Sequence, residues 1–75
     1  MYENSEDELE LLKQQLEWVK QQDRILAEIE RRLHEMKEIA RYATEHRLSL
    51  HEQERSNKQM QEHQDAIRSL ENYLS

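Results

Sequence analysis

Apolar residues recur at seven-residue intervals through the first half of the chain. Three columns can be traced: Leu12, Val19, Leu26, Leu33 and Ala40; Leu11, Trp18, Ile25 and Ile39, interrupted by Arg32; and Ile29, Met36 and Ala43. Because residues three and four apart are neighbours on a helix, these columns lie side by side. They predict an amphipathic helix whose apolar face, about three positions per heptad, is broader than the seam of a dimeric coiled coil. A helix with so broad a face needs more than one neighbour.

A capping box marks the predicted start of this helix. Ser5 is followed three residues later by Glu8, a pairing in which each side chain accepts a hydrogen bond from the other residue's backbone N–H. The acidic residues around this box suit the positive end of the helix dipole. We therefore expect a first helix over about residues 5–46 and disorder over residues 1–4.

The apolar pattern fails after residue 43, although the chain contains no glycine and no proline that would end a helix. Residues 44–47 are all polar, and Ser49 with Glu52 then forms a second capping box. A serine that caps a new helix competes with continuation of the old one, so this box predicts a turn at residues 47–49. The apolar staple that often reinforces such a box is missing, because Gln53 occupies its position. One continuous helix is therefore the rival interpretation.

A narrower apolar seam follows the predicted turn. Its members alternate in steps of three and four: Met60, His63, Ile67, Leu70 and Leu74. This seam predicts a second helix over about residues 49–74, roughly 40 Å long, against roughly 60 Å for the first. If the chain folds back on itself, Leu70 and Leu74 should lie against the first helix around residues 18–22.

The N-terminal part of the first helix would then have no cover within the hairpin. Its apolar residues are the best candidates for self-association or for docking a partner helix. The expected interface comprises Leu9, Leu11, Leu12, Leu16, Trp18, Val19, Ile25, Leu26, Ile67, Leu70 and Leu74. The expected fold is an all-α antiparallel two-helix hairpin, a single domain over residues 1–75. We expect it to self-associate, as a dimer, into a coiled-coil-like or four-helix bundle in preference to a parallel two-stranded rod.

Trp18 admits two interpretations. Tryptophan is enriched among the residues that anchor interfaces, which favours a place in an oligomer interface. The alternative is a tryptophan in the core of a monomer, which requires the second helix to reach residue 18. Trp18→Ala separates the two, since loss of the oligomer with helicity kept indicates an interface and global unfolding indicates a core.

The composition favours helices, and the charge and composition together exclude several classes of function. The chain has 75 residues, of which 37% are charged and 35% hydrophobic, and a chain this short buries little apolar surface as a monomer. With a net charge of -6, the chain lacks the excess of positive charge that is typical of proteins that bind nucleic acids. No apolar run approaches the length needed to cross a membrane. The absence of cysteine excludes disulfides and thiolate metal sites and fits a cytoplasmic location.

The candidate chemistry is sparse. The four histidines, His34, His46, His51 and His63, include no i,i+4 pair, so no single helix presents two imidazoles on one face. His46 and His51 flank the turn and could converge on a metal with Glu45 or Glu52, but histidines beside a turn are usually solvated. The carboxylates lie on exposed faces with basic neighbours, whereas acid–base catalysis needs a pair held in a pocket. We expect no enzyme, no cofactor and no metal.

His63 lies on the apolar seam of the second helix. Polar residues on such a seam most often fix the register of neighbouring helices. The alternative is a pH switch, in which protonation in mildly acidic solution loosens the bundle.

Residues 25–73 resemble the helical hairpin in the N-terminal half of bacterial flagellins. In that family a long helix ends in a pattern like L-x-x-M-[KR]-E-[LI]-A-x-x-A, followed by a short turn with Ser or Thr, Glu-Arg and a second amphipathic helix. The matching residues here are Leu33, Met36, Lys37, Glu38, Ile39, Ala40, Ala43, Ser49, Glu54 and Arg55. The resemblance implies a hairpin and at most a role near flagellar assembly.

Two departures from the flagellin pattern limit what the resemblance implies. Glu45, His46 and Arg47 stand where the flagellin turn has Asn or Gly, and the Ser/Gly/Asn-rich terminal segment of the filament core has no counterpart here. Polymerisation of the flagellin kind is therefore not expected. The sequence favours a small non-enzymatic adaptor or regulator that acts through protein–protein interaction, and a flagellin-like structural or assembly-related protein is the alternative.

Overall fold

The chain folds into two antiparallel helices. The computed structural model describes residues 2–74, with side chains from residue 5 onward. Helix α1 spans Tyr2–Glu45 and helix α2 spans Leu50–Glu71, and no strand occurs between residues 2 and 74. The molecule is a thin rod of 71 × 19 × 12 Å. The predicted all-α hairpin is confirmed, and the single continuous helix is excluded.

Helix α1 begins earlier than the sequence suggested. Its first residue is Tyr2, whereas the sequence predicts a start near residue 5, and Met1 lies outside the described residues. The disorder expected over residues 1–4 stays a prediction. Ser5 is the fourth residue of the helix and therefore cannot be its N-cap with Glu8, because an N-cap residue has non-helical dihedral angles. Serine inside a helix costs less than about 0.7 kcal/mol relative to alanine, and acidic residues in the first turns favour the helix dipole.

The two helices meet along one seam on each. On α1 the half-buried residues of this seam follow steps of three and four: Gln22, Ile25, Ile29, Arg32, Met36 and Ile39. On α2 and just beyond it they are Ser56, Met60, His63, Ile67, Leu70 and Leu74. We call these two rows the hairpin seam. No side chain among residues 5–74 is fully buried.

The hairpin seam uses two of the three apolar columns of α1. The column that contains Ile25, Arg32 and Ile39 and the column that contains Ile29 and Met36 face α2. The column that has no polar interruption turns away from α2, and its Leu26 and Leu33 are 46% and 51% exposed. The breadth of the apolar face therefore exceeds what one hairpin covers.

The far end of the chain reaches residue 22 of α1. The side-chain Nε2 of Gln22 donates a hydrogen bond to the backbone oxygen of Tyr73 at 3.3 Å. Helix α2 ends at Glu71, three residues before the expected end. Residues 73 and 74 close with i to i−3 hydrogen bonds, from Tyr73 N to Leu70 O and from Leu74 N to Glu71 O, which tighten the last turn.

The turn is built by side-chain caps. Helix α1 ends at Glu45, and residues 46–49 connect it to α2. The Glu52 N–H donates to Ser49 Oγ at 3.2 Å, and the Ser49 N–H donates to Glu52 Oε1 at 3.3 Å, so the second capping box is present. Ser49 is extended, and no residue of the described backbone has a positive φ. Glycine is therefore unnecessary at this corner.

A polar contact takes the place of the missing apolar staple. Gln53 Nε2 donates to the backbone oxygen of Leu48 at 3.5 Å, across the start of α2. Leu48 itself is half-buried and lines a shallow groove between the helices with Ile39 and Tyr42. The leucine before the cap thus packs toward α1, and the glutamine side chain holds its backbone.

Candidate functional site

Residues 2–21 of α1 project beyond the end of α2 and form an uncovered rod about 30 Å long. We call this segment the overhang. The large apolar side chains of residues 9–19 are all about half exposed or more, from 44% for Val19 to 60% for Leu12. Such a run of exposed leucines is unusual for a surface that faces only water.

One row of positions on α1 carries most of these side chains. It runs in steps of three and four along the helix: Leu9, Leu12, Leu16, Val19, Asp23, Leu26, Glu30, Leu33, Lys37 and Ala40. We call this row the outer stripe. All of its members are exposed. It begins in the overhang and continues along the hairpin on a side that α2 does not touch.

A second uncovered row lies next to the outer stripe within the overhang. Leu11 and Trp18 continue the line of the hairpin seam past the point where α2 ends, and they are 55% and 49% exposed. The overhang is therefore apolar on two adjacent sides. A single helix laid against it would cover only one of them.

The structure divides the predicted interface residues into two groups. Leu9, Leu11, Leu12, Leu16, Trp18, Val19 and Leu26 are exposed on α1. Ile25, Ile67, Leu70 and Leu74 are half-buried in the hairpin seam, because α2 pairs with two columns of α1, one of which contains Ile25. Their place in an interface with another chain stays a prediction.

The sequence interpretation missed the continuation of the surface to Leu33. This residue is exposed in the structure and belongs to the same seven-residue column as Leu12 and Leu26. The unbroken spacing of that column was the signal that could have identified it.

A polar cluster interrupts the hairpin seam near its middle. His63 Nδ1 lies 3.2 Å from Arg32 Nη1, and His63 Nε2 lies 3.2 Å from Glu35 Oε2. Because a guanidinium only donates, Nδ1 must accept from Arg32, and Nε2 must then carry the proton that it donates to Glu35. A neutral imidazole thus bridges a cation and an anion of α1. The contacts tie one position of α2 to one level of α1, which is how polar seam residues fix register.

Salt bridges on α1 extend this cluster. The guanidinium of Arg31 contacts the carboxylates of Glu28 and Glu35, and Arg32 Nε lies 3.3 Å from Glu28 Oε1. The hydrogen bond from Arg31 is the main reason why the pKa of Glu28 falls from its ordinary 4.5 to about 2. The same hydrogen bond raises the pKa of Arg31 above its usual range.

The other histidines take no part in a site. His46 stacks on the Tyr42 ring, with centroids 4.0 Å apart, and its Nδ1 lies 3.1 Å from the Tyr42 backbone oxygen, so it packs on the last turn of α1. His34 and His51 are exposed. Within the part of the chain that the structure describes, no group of three or more His, Asp or Glu side chains could hold a metal ion. Neither described helix has the length and apolar character needed to cross a bilayer.

The comparisons with known proteins add no relative to this description. No protein-family model matches the chain, and neither the curated proteins nor the solved structures include a significant match. The resemblance to the flagellin hairpin therefore rests on the residues quoted above and stays a prediction.

Proposed function

We propose that this chain acts through protein–protein interaction, as a homo-oligomeric adaptor or regulator whose working surface is the overhang. The observation that carries the proposal is the row of exposed leucines on a helix that its own hairpin leaves uncovered. Leu9, Leu12 and Leu16 are each more than half exposed. A helix laid along this row would meet apolar side chains in the i, i+3, i+4, i+7 spacing typical of helix-on-helix recognition.

Burial of this surface would favour association. Burial of the exposed half of a leucine or valine side chain contributes about 1 kcal/mol. Four such residues lie on the outer stripe within the overhang, and Trp18 adds a larger aromatic surface beside them. Interfaces usually concentrate their binding energy in a few such anchors.

Light scattering tests this proposal directly. The molar mass of the wild-type protein is measured over a wide range of concentration and compared with that of a Leu12→Glu/Leu16→Glu variant. We expect the wild type to exceed the mass of one chain and the variant to stay at it, with similar helicity by circular dichroism, because glutamate is a good helix former.

A matched control carries the same added charge on the other side of the overhang. Gln14 and Gln21 are exposed on the side of α1 opposite the outer stripe, where they line a groove with Trp18, so Gln14→Glu/Gln21→Glu adds two carboxylates and leaves the stripe leucines in place. This control should associate as the wild type does. Association of the Leu12→Glu/Leu16→Glu variant as strong as that of the control would contradict the proposal.

A partner other than a second copy is tested in the same framework. If the wild type remains a single chain, affinity capture with the wild type, the Leu12→Glu/Leu16→Glu variant and the glutamine control identifies proteins whose retention requires the overhang leucines. A chain that neither associates nor retains any such protein would end the proposal.

The alternative is a flagellin-like structural or assembly-related role. It draws support from the residues shared with the flagellin hairpin around Met36 and Ser49. Co-purification with flagellar components, abolished by the overhang substitutions, would favour it. A cytoplasmic location fits the cysteine-free composition, and cell fractionation tests it.

A further inference from the structure

The accessible surface of one chain is larger than that expected for a compact protein of the same mass. Its accessible surface is 6717 Å² for 9.3 kDa. A compact monomer of this mass exposes about 5,000 Å². The excess is about twice the roughly 800 Å² that each partner buries in an interface of standard size.

The outer stripe is longer than the overhang, which restricts what can cover it. A short helix bound to residues 9–19 would leave Leu26 and Leu33 in water. A long helix with matching apolar spacing would cover the whole stripe, and α1 of a second copy is such a helix. We propose that two copies pair antiparallel along their outer stripes, so that the overhang of each lies on the hairpin of the other. This inference rests on the proposed function and specifies its partner and geometry.

The apolar members of the stripe fix the candidate registers. In the register that we propose, Leu9 lies at the level of Leu33 of the second copy, and Leu16 lies at the level of Leu26 of the second copy. Each pair occurs twice by symmetry. Both exposed leucines on the hairpin part of α1 are then covered by leucines of the overhang.

The polar members of the stripe select this register among its neighbours. Asp23, Glu30 and Lys37 interrupt the stripe at seven-residue intervals, and none of the three forms an ion pair within residues 5–74. In the proposed register each faces an opposite charge at the edge of the second copy's stripe. The pairs are Asp23 with Lys20, Glu30 with Lys13, and Lys37 with Glu6.

Other arrangements lose this complementarity. A shift by one heptad toward the overhangs sets Glu30 against Glu6, and a shift by two sets Asp23 against Glu6. A shift by one heptad in the other direction sets Lys37 against Lys13. Parallel pairing sets Asp23 against Asp23 and Glu30 against Glu30. Like charges held close together are destabilising, so only the proposed register pairs all three residues favourably.

A charge-swap experiment tests the register. Lys13→Glu and Glu30→Lys each replace an attraction with a repulsion at two symmetric places, and each should weaken the dimer about tenfold. The double variant Lys13→Glu/Glu30→Lys restores opposite charges and should recover the wild-type dissociation constant, measured by sedimentation equilibrium. The two residues are too far apart along α1 to meet within one chain, so recovery reports on contact between chains.

Spin-label distances provide an independent readout. The chain has no cysteine, so Gln14→Cys and Gln21→Cys each carry one nitroxide on the side of α1 opposite the stripe. In the proposed register two Gln21 labels lie at the same level, whereas two Gln14 labels are offset by about 21 Å along the axis. The Gln21 distance should therefore be the shorter.

Each contrary outcome shows which part of the inference is wrong. Equal label distances indicate parallel chains, and a shorter Gln14 distance indicates pairing through the overhangs alone. An unrestored double variant excludes the register. Any of these overturns the inference and leaves the proposed function intact, provided that association still requires Leu12 and Leu16. A wild type that stays a single chain overturns the inference as well, and the capture experiment then decides the proposed function.

Discussion

The two halves of α1 have the same apolar spacing but different surroundings. From Gln22 onward the hairpin seam is half-buried against α2, whereas Leu11 and Trp18 on the same line remain about half exposed. The helix nevertheless runs unbroken from Tyr2 to Glu45. Local sequence is therefore enough to specify a helix here, and a neighbouring chain segment is needed only to bury its apolar side. A surface prepared in the sequence but left uncovered by the fold is a candidate interaction surface.

Truncation of one side chain in each half gives the largest expected contrast. Ile29→Ala removes a half-buried side chain from the hairpin seam and should lower the free energy of unfolding by about 1–2 kcal/mol. Leu12→Ala in the overhang should change it by less than about 0.5 kcal/mol at concentrations where the chain is a monomer. Denaturant unfolding followed by circular dichroism measures both. Equal losses would show that the overhang is packed within the monomer.

A substitution in the turn should have the next largest effect on the free energy of unfolding, because the turn joins the two helices of the hairpin. Ser49→Ala removes the acceptor of the Glu52 N–H and should lower the free energy of unfolding by about 1 kcal/mol. Ser69 is an exposed serine inside α2, so Ser69→Ala serves as the matched control and should be neutral or slightly stabilising. A Ser49→Ala variant as stable as the control would mean that the capping box contributes nothing to the corner.

His63 tests whether the polar cluster matters for more than register. With its side chain 13% exposed between Arg32 and Glu35, it has little water around it. His63→Leu replaces a polar member of the hairpin seam with an apolar one and should raise the free energy of unfolding by up to about 1 kcal/mol, measured by denaturant unfolding.

The exposed His51 provides the control for that experiment. His51→Leu adds the same apolar side chain outside the hairpin seam and should leave the free energy of unfolding nearly unchanged. If His63→Leu is no more stable than His51→Leu, the cluster serves only to set the register of the helices.

Glu28 should give the smallest effect, because its salt bridges lie on the surface. Its pKa is depressed to about 2 in the folded chain from 4.5, so its stabilising contribution is complete above pH 4.5 and is lost as the pH falls toward 2. Glu28→Gln should therefore be slightly less stable than the wild type near neutral pH and equal to it near pH 2. Denaturant unfolding at the two pH values measures the difference. A gap that widens on acidification would contradict the direction of the shift.

The sequence predicts the turn and the level at which the chain end meets α1 better than it predicts which side of α1 contacts α2. Ser49 and Glu52 predict the turn because a capping box is a local signal, complete within four residues. The level of the chain end followed from helix lengths, and the hydrogen bond from Gln22 to Tyr73 agrees with it. The start of α1 was misjudged at Ser5, since a cap signal inside an acidic, helix-favouring segment does not by itself stop the helix from extending further.

Which side of α1 would face α2 could not be read from spacing. The column through Leu26 and Leu33 has no polar member, yet α2 packs against the column that Arg32 interrupts. Across that seam His63 of α2 meets Arg32 and Glu35 of α1. Such a match joins residues distant in sequence, and the periodicity of one helix carries no information about it.

The position of Trp18 also determines what spectroscopy of this protein reports. It is the only tryptophan in the chain and lies in the overhang, where it is 49% exposed. Circular dichroism sums over both helices, whereas the intrinsic fluorescence excited at the red edge of absorption comes from the overhang alone. The unmodified chain thus carries its own local optical probe. A blue shift of the tryptophan emission, on raising the protein concentration or on adding another protein, indicates that the overhang has become buried.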